Sequence, residues 1–247
     1  LVSFFQATLK LKELLGVIFQ SQTSNPKELL GEINLNLEKS FHQLSLAVSQ
    51  IDQEEKKSQI NELRDFISHS KQMMEIIPLL IGLGENQDKT GFIPLKRTYL
   101  VLFQNNSELR PTGGFIGSFG LLTFEGGHLI DFEVKDVYTA DGQLKGHVEP
   151  PADLKKYLGE AGWYLRDANW DPDFPSSASR SAWFLDKEIG RSVDGVLGIN
   201  LFLAQKILQA VGEIQLPDYQ EKINADNFFE RAEYYSEINF FPGSTQK

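Results

Sequence analysis

The stretch at residues 99–120, YLVLFQNNSELRPTGGFIGSFG, limits the possible fold more than any other part of the chain. Its first six residues, Tyr99 to Gln104, are a nearly unbroken run of aliphatic and aromatic side chains. So short a run without polar alternation reads as a strand buried on both faces. Such a strand needs a layer above and a layer below, so helices must cover the sheet it belongs to. A polar loop, 105–112, follows, then Gly113 and Gly114, then a second apolar strand from Phe115. Paired glycines let backbone approach a neighbour or a ligand with no Cβ in the way. The loop also holds one cation, Arg110, next to Thr112. Two readings stay open. Clustered N–H groups beside a guanidinium can bind an anion; equally, Arg110 can pair with Glu108 or another acid in a tight connection.

Ahead of that stretch the chain reads as helix. Residues 1–20 place Leu9, Leu11, Leu15 and Ile18, with Phe4 or Phe5, on one side, and 21–24 break the pattern. Asn25, Pro26 and Glu28 then supply a cap, a first-turn proline and a capping acid. From there Leu30, Ile33, Leu37, Phe41, Leu44, Val48 and Ile51 recur at three and four. That stripe is about 25 residues long, or roughly 37 Å of helix. Ile60, Leu63, Ile67, Met74 and Ile77 form a second stripe. Two such stripes bury best against one another, so 1–84 is expected to be an antiparallel helical hairpin or stalk. No Gly or Pro interrupts 50–57, and one continuous helix is the alternative. Residues 85–94 read as a linker and 95–247 as a second domain.

Within that domain, apolar runs at 119–124 and 129–134 flank Gly126-Gly127, a hairpin signal. Residues 136–151 are irregular, and a short helix runs from Pro151 to near Gly159. A helix over 176–189 ends at Gly190, a strand spans 193–199, and a helix over 201–211 ends at Gly212. A short strand at 214–216 and a last helix capped by Asn224 complete the pattern. The expected class is α/β (α+β), a helical hairpin followed by a mixed-sheet α/β sandwich. An apolar fraction of 41% with 18 Phe suffices for its core. Acids outnumber Lys and Arg by 34 to 24, for a net charge of −10, which argues against a nucleic-acid surface. The absence of Cys excludes disulfides, thiolate metal sites and cysteine catalysis. No apolar run reaches the roughly 18 to 20 residues of a membrane span, and the chain reads as a piece whose anchor would lie upstream.

The loop at 162–175 is the densest in functional side chains: Trp163, Tyr164, Arg166, Asp167, Asn169, Trp170, Asp171 and Asp173. Asp167, Asp171 and Asn169 are hard oxygen ligands suited to Mg²⁺. Asp171-Pro172-Asp173 points two carboxylates to opposite sides, against one ion held by both, and Asp173 or Ser176 could instead cap the next helix. Arg166 and Arg180, with Arg110, lie in or beside these loops, and Arg suits bidentate phosphate binding. Their alternative role is pairing with nearby Asp. Four single His residues make a triad or a zinc site improbable, and no P-loop, nucleophile elbow or dinucleotide fingerprint is present.

Four segments in order resemble the bacterial domain-of-unknown-function family 4012. These are QNNSELRPTGGFIGS with GLLTFEGG, then RDANWDPDFP from Arg166, VDGVLGIN from Val193 and FPGSTQK from Phe241. The resemblance spans roughly Ile93 to the end and implies an extracytoplasmic domain on an N-terminal membrane anchor. A more distant similarity is to the LytR-CpsA-Psr family, which moves lipid-pyrophosphate-linked glycopolymers using Arg, Asp and Mg²⁺. Where that family shows Pro-Arg-Asp after the hairpin, this chain has Val134-Lys135-Asp136, so only Asp136 matches. The first expectation is therefore a domain that binds or transfers a phosphate-linked glycan. Arg110, Thr112, Gly113, Gly114, Arg166, Asn169 and Arg180 would bind, Asp136 and Asp167 are the candidates for catalysis, and Asp136, Asp167 or Asp171 would hold Mg²⁺. The second is a non-catalytic surface module whose Trp163, Tyr164 and Trp170 bind sugar or protein.

Overall fold

The computed structural model describes residues 2–20, 24–85 and 92–237. Much of the expected linker, and the FPGSTQK segment, lie outside the described residues. The chain forms two compact units, Leu1–Thr98 with Leu122–Phe132, and Tyr99–Leu121 with Glu133–Lys247.

The first unit is built on α1 (Val2–Gln20), α2 (Pro26–Val48) and α3 (Glu54–Leu80). Asn25 caps α2 through its side chain, which accepts from Lys27 N–H at 3.0 Å, and Pro26 opens the first turn. Leu29, Leu30, Ile33 and Leu37 of α2 are buried, as are Ile67 and Met74 of α3 and Leu14, Val17 and Ile18 of α1. Each set follows the three-four spacing of one helix face. α3 packs on α2 across the turn at 49–53, and α1 packs on α2 as a third helix. β1 (Leu83–Glu85) and β2 (Phe92–Pro94) pair as a short antiparallel ribbon. Among the described residues no helix is long and apolar enough to cross a membrane.

A mixed four-stranded sheet runs in the order β5-β4-β3-β6, with β3 Lys96–Asn105, β4 Phe115–Glu125, β5 His128–Asp136 and β6 Gly195–Asn200. β3 and β6 are parallel, in register from Tyr99 opposite Gly195 to Gln104 opposite Asn200. β3 is interior to the sheet, which is why Leu100, Val101 and Leu102 are all buried. The β4–β5 hairpin turns at Gly126 and Gly127, as the sequence indicated.

The elements of the second unit that bear on the site follow in order. They are α4 (Val137–Asp141), α5 (Ala152–Leu158), a 3₁₀ turn (Leu165–Asp167), α6 (Phe174–Ile189) and α7 (Leu201–Val211). β7 (Ile214–Leu216) and β8 (Glu221–Ile223) form a separate antiparallel ribbon, and α8 spans Phe228–Glu237. The core gathers Leu100, Leu102, Ile116, Phe119 and Leu121 of the sheet with Val137, Ala140, Leu165, Ala168, Phe184 and Leu185. α6 is two-faced: Ser177, Ser181, Phe184, Leu185 and Glu188 are buried, while Ser176, Ser179, Arg180 and Trp183 are exposed. α4 opens a region that reads as irregular in the sequence, because five residues are too few to display a helical period.

Candidate functional site

The loop between β3 and β4 is stitched to the loop that precedes α6. Thr112 Oγ1 is within hydrogen-bonding distance of the carbonyls of Asn169 and Asp171, at 3.0 and 2.5 Å, and of Ser177 Oγ at 3.1 Å. In return Asn169 Nδ2 donates to the carbonyls of Thr112 and Gly114, at 2.6 and 2.7 Å. The glycine pair makes this closeness possible. Gly113 has φ +77° and Gly114 φ +107°, and a Cβ on Gly114 would sit 2.1 Å from the Asn105 carbonyl oxygen. On Gly113 it would sit 2.3 Å from Gln104 Oε1, whose amide Nε2 donates to the Thr112 carbonyl at 2.6 Å. The glycines, Thr112 and Asn169 thus form a latch between two loops.

The arginines lock the same two loops by charge. Arg110 Nε donates to Asp167 Oδ1 at 2.8 Å, and Arg166 Nε lies 3.4 Å from the other oxygen of that carboxylate. The structure therefore brings Arg110 and Arg166 together on one acid that is 1% exposed. Arg166 also pairs with Asp141 at 2.8 Å and Glu160 at 2.7 Å. Aromatic faces cover what remains, Phe115 over Arg110 and Tyr138 and Tyr164 over Arg166. Burial opposes the Arg166 charge, but hydrogen bonds to Asp141 and Glu160 outweigh it and hold the guanidinium above its ordinary value.

Behind Asp141 lies Glu188, 4% exposed, whose Oε1 accepts from Leu165 N–H at 2.9 Å. Burial pushes the Glu188 carboxyl up to about 8, and the Asp141 charge adds to this. Burial likewise raises Asp141 to about 6 against the pull of Arg166. The Asp141 carboxylate bears on Glu188, and Asp141 Oδ1 and Glu188 Oε2 are both buried with no hydrogen-bond partner. One proton shared between them satisfies both atoms.

Next to the latch opens a cleft of about 680 Å³. Its walls include Tyr157 of α5, Trp163 and Trp170 of the loop, and Pro111 and Pro172. Asp153, Asp171 and Arg180 also line it. Trp163 is anchored from behind: its Nε1 donates to the Asp167 carbonyl at 2.9 Å, and its ring meets Phe184 edge-on at 5.5 Å. Tyr157, by contrast, is 68% exposed. Trp170 follows Asn169 directly, and Pro111 stands between Arg110 and Thr112, so the latch sets the position of both walls.

Residues 95–235, more than half of the chain, match the family described as Protein of unknown function (DUF4012). The chain belongs to this family. No curated protein and no solved structure matches it. The four resembling segments read in the sequence place the latch and the arginine cluster of this DUF4012 member in the first two.

Of the residues expected to act, Arg110, Thr112, Gly113, Gly114, Arg166, Asp167 and Asn169 converge on the stitched loops. Arg180 stands apart, on the exposed face of α6. Asp136 caps α4 by accepting from Tyr138 N–H at 2.8 Å, and Asp171 Oδ1 accepts from Asp173 N–H at 2.9 Å. Asp173 caps α6 through Ser176 N–H. Asp136, Asp167 and Asp171 are thus held by separate partners, and among the described residues no three His, Asp or Glu are grouped to hold a metal ion.

The sequence reading missed Glu160, Glu188, Tyr157 and Asp153, and gave Asp141 no part. Glu188 had a signal: it falls on the buried stripe of α6, four residues after Phe184, where a charge needs a partner. Tyr157 had none, because an exposed Tyr on a seven-residue helix has no distinguishing pattern.

Proposed function

We propose that this chain is a glycan-binding module whose ligand lies in the cleft lined by Tyr157, Trp163 and Trp170. The observation that carries the reading is the lining itself, aromatic and proline faces with three charged side chains in about 680 Å³. Sugar rings have apolar C–H faces and a rim of hydroxyls, and a wall of indole and phenol with few polar groups matches both. The notched position of Trp170 and Pro111 beside the latch supports a preformed site, which lowers the ordering cost of binding.

Transfer of a phosphate-linked glycan, which likeness to the LytR-CpsA-Psr family would imply, asks for arginines open to a phosphate. Arg110 and Arg166 face three carboxylates, Asp141, Glu160 and Asp167, so binding is the reading we prefer over transfer. We place the domain on the outer side of the membrane, in the cell envelope, where glycan ligands are plentiful.

A glycan array followed by titration calorimetry tests the proposal. At least one glycan class should be retained, and Trp170→Ala or Tyr157→Ala should weaken it about tenfold or more, as for aromatic anchors at binding sites. No retained glycan, or unchanged affinity in both variants, rejects it.

A further inference from the structure

A role for Arg180 in choosing the glycan rests on the glycan reading and deepens it. The exposed face of α6 lines a second hollow of about 530 Å³, formed by Pro175, Ser176, Ser179, Arg180 and Trp183. Ser176 and Arg180 line both hollows, so the two make one path with Arg180 at the join. A path of that length suits a chain of sugar rings rather than a single one.

The Arg180 guanidinium lies 4.8 Å from the Trp163 ring centre and 5.8 Å from that of Trp183. Arg110 and Arg166 are matched by carboxylates, whereas Arg180 is exposed and, among the described residues, stacks on the indole faces of Trp163 and Trp183. A guanidinium stacked on rings keeps its N–H fork open at the edge, and that fork fits a carboxylate or a phosphate oxygen pair. Asp153 and Asp171 line the same path, so two negative charges stand against one positive. An acid on every ring would be repelled there, while hydroxyls of neutral rings can donate to those carboxylates.

We infer that the cleft selects an oligosaccharide in which an anionic ring, bearing a carboxylate or a phosphate, meets Arg180 between neutral rings stacked on Trp170 and Trp183.

Calorimetry with four probes separates the possibilities. Chitotetraose is neutral throughout, and tetragalacturonate is acidic on every ring. A hyaluronan tetrasaccharide alternates uronate with neutral rings, and a 6-phosphorylated chitotetraose carries phosphate instead. The alternating or the phosphorylated probe should bind about tenfold or more tighter than the other two, and the better of the pair identifies the oxyanion. Arg180→Ala should abolish that preference, while Arg180→Lys should keep part of it. A parent-like far-UV circular dichroism spectrum and a cooperative thermal melt would certify that each variant is folded. Equal affinity for chitotetraose and the anionic probes overturns the inference and leaves the glycan reading standing. So does an Arg180→Ala loss that is equal for all probes, which would make Arg180 a mere platform. Failure of every probe to bind, together with an empty array, overturns both.

Discussion

Replacing Glu188 with Gln should make the second unit more stable in alkali and remove the Glu188 share of its pH dependence, leaving that of Asp141. In the folded chain the Glu188 carboxyl is raised to about 8 from 4.5, chiefly by burial. A raised acid binds its proton more tightly folded than unfolded. Its contribution is therefore complete below pH ~4.5 and is lost as pH rises through about 8. Each unit of that window costs about 1.4 kcal/mol, so roughly 5 kcal/mol is at stake over the whole of it. Gln mimics the protonated form at every pH. Its carbonyl can accept from Leu165 N–H, and its amide can donate to Asp141 Oδ1, which otherwise lacks a partner once the proton is gone.

All three Trp residues, at 163, 170 and 183, lie in the second unit, so urea unfolding read by tryptophan fluorescence reports on it selectively. At pH ~9 the variant should be about 3 to 5 kcal/mol more stable than the parent, equivalent to a melting shift of about 10 °C. Near pH ~5 the two should nearly coincide. Parallel pH profiles, or a variant weaker than the parent at every pH, would refute the shared-proton argument. Glu188→Ala, which leaves Leu165 N–H unpartnered, should be destabilised by about 2 to 4 kcal/mol at low pH and serves as the contrast.

Three further outcomes follow from the stitched loops. Asp167→Asn should cost about 3 kcal/mol in urea unfolding, since it removes the charge on which Arg110 and Arg166 both depend. Asn169→Ala should cost about 1 to 3 kcal/mol, because the Gly114 carbonyl loses its side-chain donor and the Thr112 carbonyl keeps only Gln104, and glycan affinity should fall with it. Gly114→Ala should cost about 3 kcal/mol or more, given the clash with the Asn105 carbonyl and the positive φ, whereas Gly146→Ala, with open space around it, should cost about 1.

The fold was legible where periodicity or capping chemistry was strong. The stripe through Ile33 and Leu37, the Asn25-Pro26 start and the Gly190 and Gly212 helix ends all stand where the residues indicated. The double-buried run at 99–104 became the interior strand β3. The site was legible only in part. The sequence shows that Arg110 and Arg166 lie in loops rich in polar residues, but not which acids will reach them. Asp167 is far along the chain from Arg110, and Asp141 from Arg166, and each pair meets through packing alone. Charge partners of that kind carry no local period, and a one-dimensional reading cannot choose between an anion pocket and an ion cluster.

The arrangement of latch and cleft explains why the most recognisable residues are poor candidates for direct contact with a ligand. Along the chain the two kinds alternate: Arg110, then Pro111, then Thr112; Asn169, then Trp170. The first of each kind faces inward and is held by hydrogen bonds or ion pairs, and its neighbour lines the cleft. A backbone fixed at every second residue leaves the intervening side chain few directions, so the cleft walls inherit the rigidity of the latch. Loosening the latch should therefore weaken a glycan even where the protein is fully folded and no contacting side chain has changed. Thr112→Val separates this from a simple stability effect. It keeps the shape but removes the hydroxyl that reaches Asp171 and Ser177. If affinity at low temperature, far below unfolding, equals that of the parent, the cleft does not depend on the latch and the coupling is wrong. A loss of a few-fold with the folded fluorescence spectrum intact is what the geometry requires.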